Sequence, residues 1–174
     1  GKCLLNPGQS GPDFAPECLD ADPGDHRPLV VLWGDSHAAA LYPGLREAQK
    51  DSRFRLAQFT ASICPPILGL RLEPRPLCPA INNWVIDTIG HLKPDLVILH
   101  ANWSTYDTST LPMTLARLNA LGISKVVVAG PVPVWEFGFT HSLYAYFKTN
   151  RTDRIPDRLH NSMVERLVQV DRGL

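Results

Sequence analysis

Four short apolar runs recur along the chain, separated by stretches with helical spacing. The runs lie at 29–33, 54–60, 95–100 and 125–130. Their length and β-branched residues are typical of buried strands. Apolar residues recur at the 3.6-residue spacing of amphipathic helices over 37–50, 80–91 and 110–121. This alternation predicts a doubly wound, flavodoxin-like parallel sheet with helices on both faces, a three-layer α/β/α fold.

The two ends of the chain break this pattern. Residues 1–28 contain five prolines and four glycines without a strand or helix period, which predicts a linker or flap before a domain at 29–174. The aromatic stretch 131–156 predicts irregular structure, and 156–170 predicts an amphipathic helix. Because no strand follows that helix, we expect an α/β fold that is cut before its last strand.

The four cysteines fall into two local pairs, Cys3 with Cys18 and Cys64 with Cys78. Each pair encloses a proline-rich stretch that suits a closed loop, which favours this connectivity over the two others. Four free thiols are the alternative. Disulfides would indicate an oxidising compartment such as a periplasm.

The overall composition argues against several classes of partner. The chain has 17 basic and 17 acidic residues, with no run of one sign, which argues against a nucleic-acid partner. No stretch approaches the roughly 20 apolar residues that cross a bilayer. The histidines are scattered and no phosphate-binding glycine loop is present, so we expect no metal and no cofactor.

The candidate chemistry lies in "VVLWGDSHAAAL", residues 30–41. Ser36 follows the first strand through a Gly-Asp turn and opens a helix, at the sheet edge where doubly wound proteins bind ligands. The free N–H groups of a helix N-terminus can hold the oxyanion of an acyl-transfer intermediate. Ser36 is therefore a candidate nucleophile, and simple capping of the helix is the alternative.

The Gly-Asp-Ser-His motif between a strand and a helix resembles the first signature block of the SGNH, or GDSL-like, hydrolases. More narrowly, "LWGDSHAAALYPGL", the "ASICPP" loop and "ILHANW" resemble SGNH domains fused behind the membrane-embedded acyltransferase-3 domain of bacterial enzymes that O-acylate surface polysaccharides. The resemblance implies an SGNH hydrolase fold in a periplasmic, extracytoplasmic domain of an inner-membrane protein.

The same resemblance implies an activity. It predicts a serine-dependent O-acyltransferase or esterase acting on bacterial cell-surface polysaccharide through an acyl-enzyme. The membrane-embedded acyltransferase-3 domain would supply the acyl group, and a saccharide would accept it. The alternative is a non-catalytic module of a membrane acyltransferase that binds or tethers the saccharide.

The resemblance also assigns site residues. Ser36 is the nucleophile, and Asn102, in "HANW", completes the oxyanion hole. The glycine of the family's second block has no counterpart after Thr60. Only Asp157 and His160 match the spacing of the family's Asp-x-x-His pair, but they precede the expected last strand. We therefore expect Asp157 to cap a helix, His160 to lie on the surface, and the working pair to lie beyond residue 174.

Four side chains near the motif complete the expected site. His37 is expected to line the pocket rather than act as the base, because adjacent residues at a helix start point in different directions. For the same reason Asp35 is expected to brace the turn. Trp103 is expected to line the pocket and could stack on a sugar ring, with packing as the alternative. Trp33, inside its strand, is expected to pack in the core.

Overall fold

The computed structural model describes residues 2–20, 24–159 and 161–174. Its strands are β1 (Leu4–Leu5), β2 (Leu29–Gly34), β3 (Arg55–Ala61), β4 (Leu96–His100) and β5 (Val126–Val128). Its helices are α1 (Ser36–Ala48), α2 (Cys78–Leu92), α3 (Leu111–Ala120), α4 (Phe139–Asn150) and α5 (Val164–Arg172).

All five described strands form one parallel sheet in the order β1-β3-β2-β4-β5. The chain runs from β2 outward to β3 and then crosses back over β2 to β4. Strand order therefore reverses at β2, and the connections after β2 and β4 leave a crevice at the carboxyl edge of the sheet. The predicted doubly wound α/β fold is confirmed.

Alternate residues of β2 face opposite layers of helices, because side chains alternate along a strand. Val30 and Leu32 pack with Ala38 of α1 on one face of the sheet. Val31 and Trp33 belong to the core on the other face, where α2 and α3 lie. All six residues of β2 are buried, as expected for a strand covered on both sides.

The segment before β2 packs into this core. Strand β1 pairs with β3, and Leu5 is completely buried. The ring of Phe14 stacks on Trp84 of α2 and meets Phe59 of β3 edge to face. The sequence lacks a period here because β1 has only two residues. The division of the chain at residue 28 stays a prediction.

Both expected disulfides, Cys3–Cys18 and Cys64–Cys78, are present. The predicted pairing is confirmed. The second disulfide closes the connection between β3 and α2, whose residues 62–77 contain no helix or strand. The Cys64–Cys78 disulfide therefore fixes this connection at one edge of the crevice.

The aromatic region after β5 differs from the prediction. Irregular structure was expected over 131–156, but α4 occupies Phe139–Asn150. This helix buries no residue, so its aromatic residues lack the one-sided burial from which a helix is usually recognised. Helix α5 begins at Val164, later than expected, so Asp157 does not cap it and is exposed instead.

None of the helices in the described ranges has the length and apolar character required to cross a membrane.

Candidate functional site

The candidate site forms where three connections leave the sheet at the same level. In the register of the sheet, Gly34 of β2 lies beside Thr60 of β3 and His100 of β4. A Cβ atom on Gly34 would overlap the carbonyl oxygen of His100, so only glycine permits this close approach. Residues just beyond these three positions must therefore meet at the carboxyl edge.

Asp35 caps helix α1. Its Oδ1 atom accepts a hydrogen bond of 2.8 Å from the backbone N–H of His37. The expected alternative role for Ser36, helix capping, is thus filled by its neighbour. Ser36 is exposed, and its hydroxyl has no hydrogen-bond partner among the described residues.

Asp35 also connects the β2 turn to the segment after β4. Its Oδ2 atom accepts hydrogen bonds from the backbone N–H of Asn102 at 3.0 Å and from the hydroxyl of Tyr106 at 2.9 Å. Only 1 % of Asp35 is exposed, so these donors replace water around the buried carboxylate. Burial and the nearby Asp35 carboxylate raise the pKa of Tyr106 well above its usual value, which keeps its hydroxyl a donor.

Asn102 lies in the same cleft as Ser36. The hydroxyl of Ser104 donates to Asn102 Oδ1 at 3.0 Å, which orients the side-chain amide. The Nδ2 group has no acceptor within the part of the chain that the structure describes, so it is free to donate to a ligand. The cleft has a volume of about 360 Å³, and its lining residues are Asp35, Ser36, His37, Ile63, Leu72, Pro74, Asn102, Thr105 and Tyr106.

Ile63 is a cleft residue that the sequence did not reveal. It has a φ of 53°, in the left-handed region that favours glycine, and follows Thr60 closely. Its backbone N–H has no acceptor among the described residues, and its side chain is 41 % exposed. Close after Thr60, where the sequence has no glycine to match the family's second block, Ile63 thus has a backbone conformation that glycine adopts more readily.

Two histidines lie near Ser36, and they differ in environment. His37 is partly buried and lines the cleft, with its ring centroid 6.4 Å from that of His100. His100 is buried, and its Nδ1 lies 3.1 Å from the carbonyl oxygen of Ala129. Burial lowers the pKa of His100, despite that bond and the Asp35 carboxylate. Neither imidazole hydrogen-bonds to Ser36.

The other expected site residues lie elsewhere. Trp103 does not line the cleft: it is 1 % exposed, and its indole N–H donates to the carbonyl oxygen of Ala129 at 2.7 Å. This corrects the expectation for Trp103, because it belongs to the buried core, and Tyr106 is the aromatic residue among the described lining of the cleft. Asp157 is exposed and outside the cleft, and His160 lies outside the described residues.

The connection that carries Ile63 is anchored to the core by hydrogen bonds as well as by Cys64–Cys78. Asn82 of α2 is completely buried, and its Nδ2 donates to the carbonyl oxygens of Pro65 and Ile67. The indole N–H of Trp33 donates to Asn82 Oδ1 at 3.2 Å. This side of the cleft is therefore fixed before any ligand binds.

A second cavity, of about 330 Å³, lies between the segment after β5 and helix α5. Its described lining includes Pro131, Pro133, Val164 and Leu167, with Asp171 as the one titratable residue among the described ones. None of the described lining residues is a serine or a cysteine, so this cavity offers no candidate nucleophile from them. Across the described ranges, no cluster of three His, Cys, Asp or Glu residues could hold a metal ion.

The fold and the position of the serine define a doubly wound α/β domain with an exposed serine in the turn after β2, where the strand order reverses. The model of the SGNH domain family, described as fused to AT3 domains, matches residues 2–171. The chain therefore belongs to this family, which confirms the resemblance seen in the motifs. No curated protein sequence matches the chain.

The fold is similar to that of the periplasmic domain of the lipopolysaccharide acetyltransferase of Salmonella ser. Paratyphi A. The TM-score is 0.77 at 20% sequence identity, and the match covers 99% of this chain and 69% of that one. At this identity the likeness concerns the fold.

Proposed function

We propose that this domain transfers acyl groups through Ser36. The hydroxyl oxygen of Ser36 attacks the carbonyl carbon of an acyl ester, and the alcohol of that ester leaves. The hydroxyl of a second alcohol then attacks the acyl-serine and takes the acyl group. The Asn102 amide and the backbone N–H of Ser36 donate to the oxyanion in both steps.

The main support for this proposal is that the Ser36 hydroxyl makes no hydrogen bond to any described residue. A serine at the start of a helix normally folds its hydroxyl onto the backbone as a cap. Here Asp35 is the cap, and Ser36 faces a cleft that also contains Asn102, whose Nδ2 group donates to none of the described residues. A nucleophile and an oxyanion donor are thus available in one place.

Family membership supports a polysaccharide as the acceptor. The family is the SGNH domain fused to AT3 domains, and the neighbour of similar fold belongs to a lipopolysaccharide acetyltransferase. We infer that an AT3 domain supplies the acyl group and that a saccharide hydroxyl accepts it. Water as the acceptor would make the same site an esterase. The disulfides support a periplasmic location.

One observation favours a second function. No imidazole hydrogen-bonds to the Ser36 hydroxyl within residues 2–20, 24–159 and 161–174. A serine without a base is a weak nucleophile. The second candidate is therefore a non-catalytic module that binds the saccharide or tethers it to the membrane acyltransferase.

Labelling of the full-length protein with a fluorophosphonate probe tests the two functions. Wild type should react at one site, Ser36→Ala should lose the label, and Asn102→Ala should react on the order of 100-fold more slowly. The control is Ser109→Ala, an exposed serine outside the cleft, which should react like wild type.

Two results would decide against the enzyme. Folded wild type that takes no label but binds saccharide would support the binding module. If Ser36→Ala still took the label, the reactive group would be a residue other than Ser36.

A further inference from the structure

The two sides of the cleft around Ser36 differ in chemistry. One side is apolar and consists of Ile63, Leu72 and Pro74, all from the connection between β3 and α2. The other side comes from the segment after β4 and presents the Asn102 amide and Thr105. Ser36 is contributed by a third connection. We call the first group the apolar wall.

Ile63 is held in a conformation that is unfavourable for its own side chain. A β-branched residue at φ 53° is an outlier, and such backbone strain is concentrated at functional sites. Glycine would adopt this conformation without strain. An isoleucine at this position is therefore explained only if its side chain, which is 41 % exposed in the cleft, is needed there.

The surroundings of Ile63 keep its side chain in place. The backbone N–H of Ser62 donates to the carbonyl oxygen of Leu5, and that of Cys64 donates to the carbonyl oxygen of Ala61. Cys64 is also covalently bound to Cys78. Further along the connection, the backbone N–H of Leu68 donates to Thr114 Oγ1 at 2.9 Å. The apolar wall is therefore preformed, and a ligand need not order it.

We propose that the apolar wall, with Ile63 at its centre, binds the acyl group of the substrate. An acyl ester has one apolar end and one polar end, and the two sides of the cleft match these ends. The acyl chain lies against Ile63 and Leu72, and the saccharide lies on the side of Asn102 and Thr105. This inference rests on the proposed acyl-transfer function and adds the orientation of the substrate and the residue that selects the acyl chain.

Binding of unreactive amides tests the wall. The probes are p-nitroacetanilide and its propionyl and butyryl homologues, followed by chemical-shift titration. In wild type each added methylene should strengthen binding by about two- to fourfold, the upper value corresponding to complete burial. Ile63→Gly removes the side chain but keeps the backbone N–H, so the dissociation constant should depend much less on chain length than in wild type.

Two further variants control this result. Arg151 also has a left-handed backbone, with a φ of 49°, but lies at the exposed end of α4. Arg151→Gly makes the same backbone change away from the cleft and should keep the wild-type dependence on chain length. Leu72→Ala should reduce the dependence in part. Ile63→Gly should not lower the melting temperature, because it relieves strain.

Three outcomes would overturn the proposal: wild-type binding that does not depend on chain length, a dependence that survives in both Ile63→Gly and Leu72→Ala, or one that Arg151→Gly also abolishes. Because amides resist attack by serine, none of these outcomes depends on the reactivity of Ser36. Failure of fluorophosphonate labelling would instead count against the proposed function alone.

Discussion

Two adjacent residues, Gly34 and Asp35, determine whether Ser36 is available for chemistry. Gly34 lets β2 approach β4 closely enough for their two connections to meet. Asp35 caps the helix and holds the backbone of Asn102 at the same time. The Ser36 hydroxyl bonds to none of the described residues because Asp35 takes the capping role at the start of α1.

Asp35→Asn should weaken both the fold and the site. An asparagine side chain cannot accept all three hydrogen bonds, so buried donors from Asn102 and Tyr106 lose their acceptor. We expect a loss of about 1–3 kcal/mol in the free energy of unfolding, measured by urea denaturation, together with slower labelling of Ser36. Tyr106→Phe removes one bond only and should cost less. Wild-type stability in Asp35→Asn would refute this role.

Gly34→Ala should abolish folding or destabilise it by more than about 3 kcal/mol, because the added methyl overlaps the backbone of β4. The matched control is Gly44→Ala. Gly44 lies in helix α1, and a Cβ atom there meets nothing within 4 Å. That variant should gain about 0.5–1 kcal/mol from helix propensity. Thermal melting of both proteins gives the comparison, and a stable Gly34→Ala protein would contradict the proposed close approach.

The sequence predicted some of these residues and not others, for physical reasons. Ser36 and Asn102 each follow a recognisable apolar strand, so their place at the carboxyl edge could be inferred. Ile63 could not be found, because its left-handed backbone is imposed by the surrounding bonds and not by its residue type. The contact of Tyr106 with Asp35 was not predicted, because only the folded chain brings these two residues together.

At the scale of elements, the connection between β3 and α2 is built as a rigid part of the site. It has no regular structure, yet a disulfide and the buried Asn82 fix it to the core. The long core elements were predictable from their periodicity. Strand β1 and helix α4 were not, since the first is too short to show a period and the second buries none of its residues.

Removing the Cys64–Cys78 bond by a double substitution to alanine should cost about 3 kcal/mol in the loop-entropy description. It should also weaken the preference for longer acyl amides, because the apolar wall loses an anchor. The matched control is Cys3/Cys18→Ala. The Cys3–Cys18 disulfide closes a loop of similar length, and neither of its cysteines lines the cleft. That variant should lose comparable stability under chemical denaturation but keep the preference. If both double-alanine variants lost the preference for longer acyl amides to the same extent, the Cys64–Cys78 bond would have no specific role in positioning the apolar wall.

At the scale of the whole molecule, His100 should make the fold sensitive to acid. Burial lowers its pKa in the folded protein, so the unfolded chain binds the proton more readily. The free energy of unfolding should therefore decrease as the pH falls below about 6.5, the ordinary histidine pKa, and recover as the pH rises.

Chemical denaturation at pH 7 and pH 5 measures this dependence. His100→Asn, whose amide can still donate to Ala129, should show a smaller decrease in stability between the two values. His91→Asn, at an exposed site on α2, should behave like wild type. The same decrease in His100→Asn as in wild type would show that other groups cause it.

The reversal of strand order at β2 has a consequence for how such a domain can change its substrate. Ser36, Asn102 and the apolar wall come from three separate stretches of chain that meet at the sheet edge. Exchanging residues 62–77 alone could therefore accommodate a bulkier or smaller acid while the reactive machinery stays untouched.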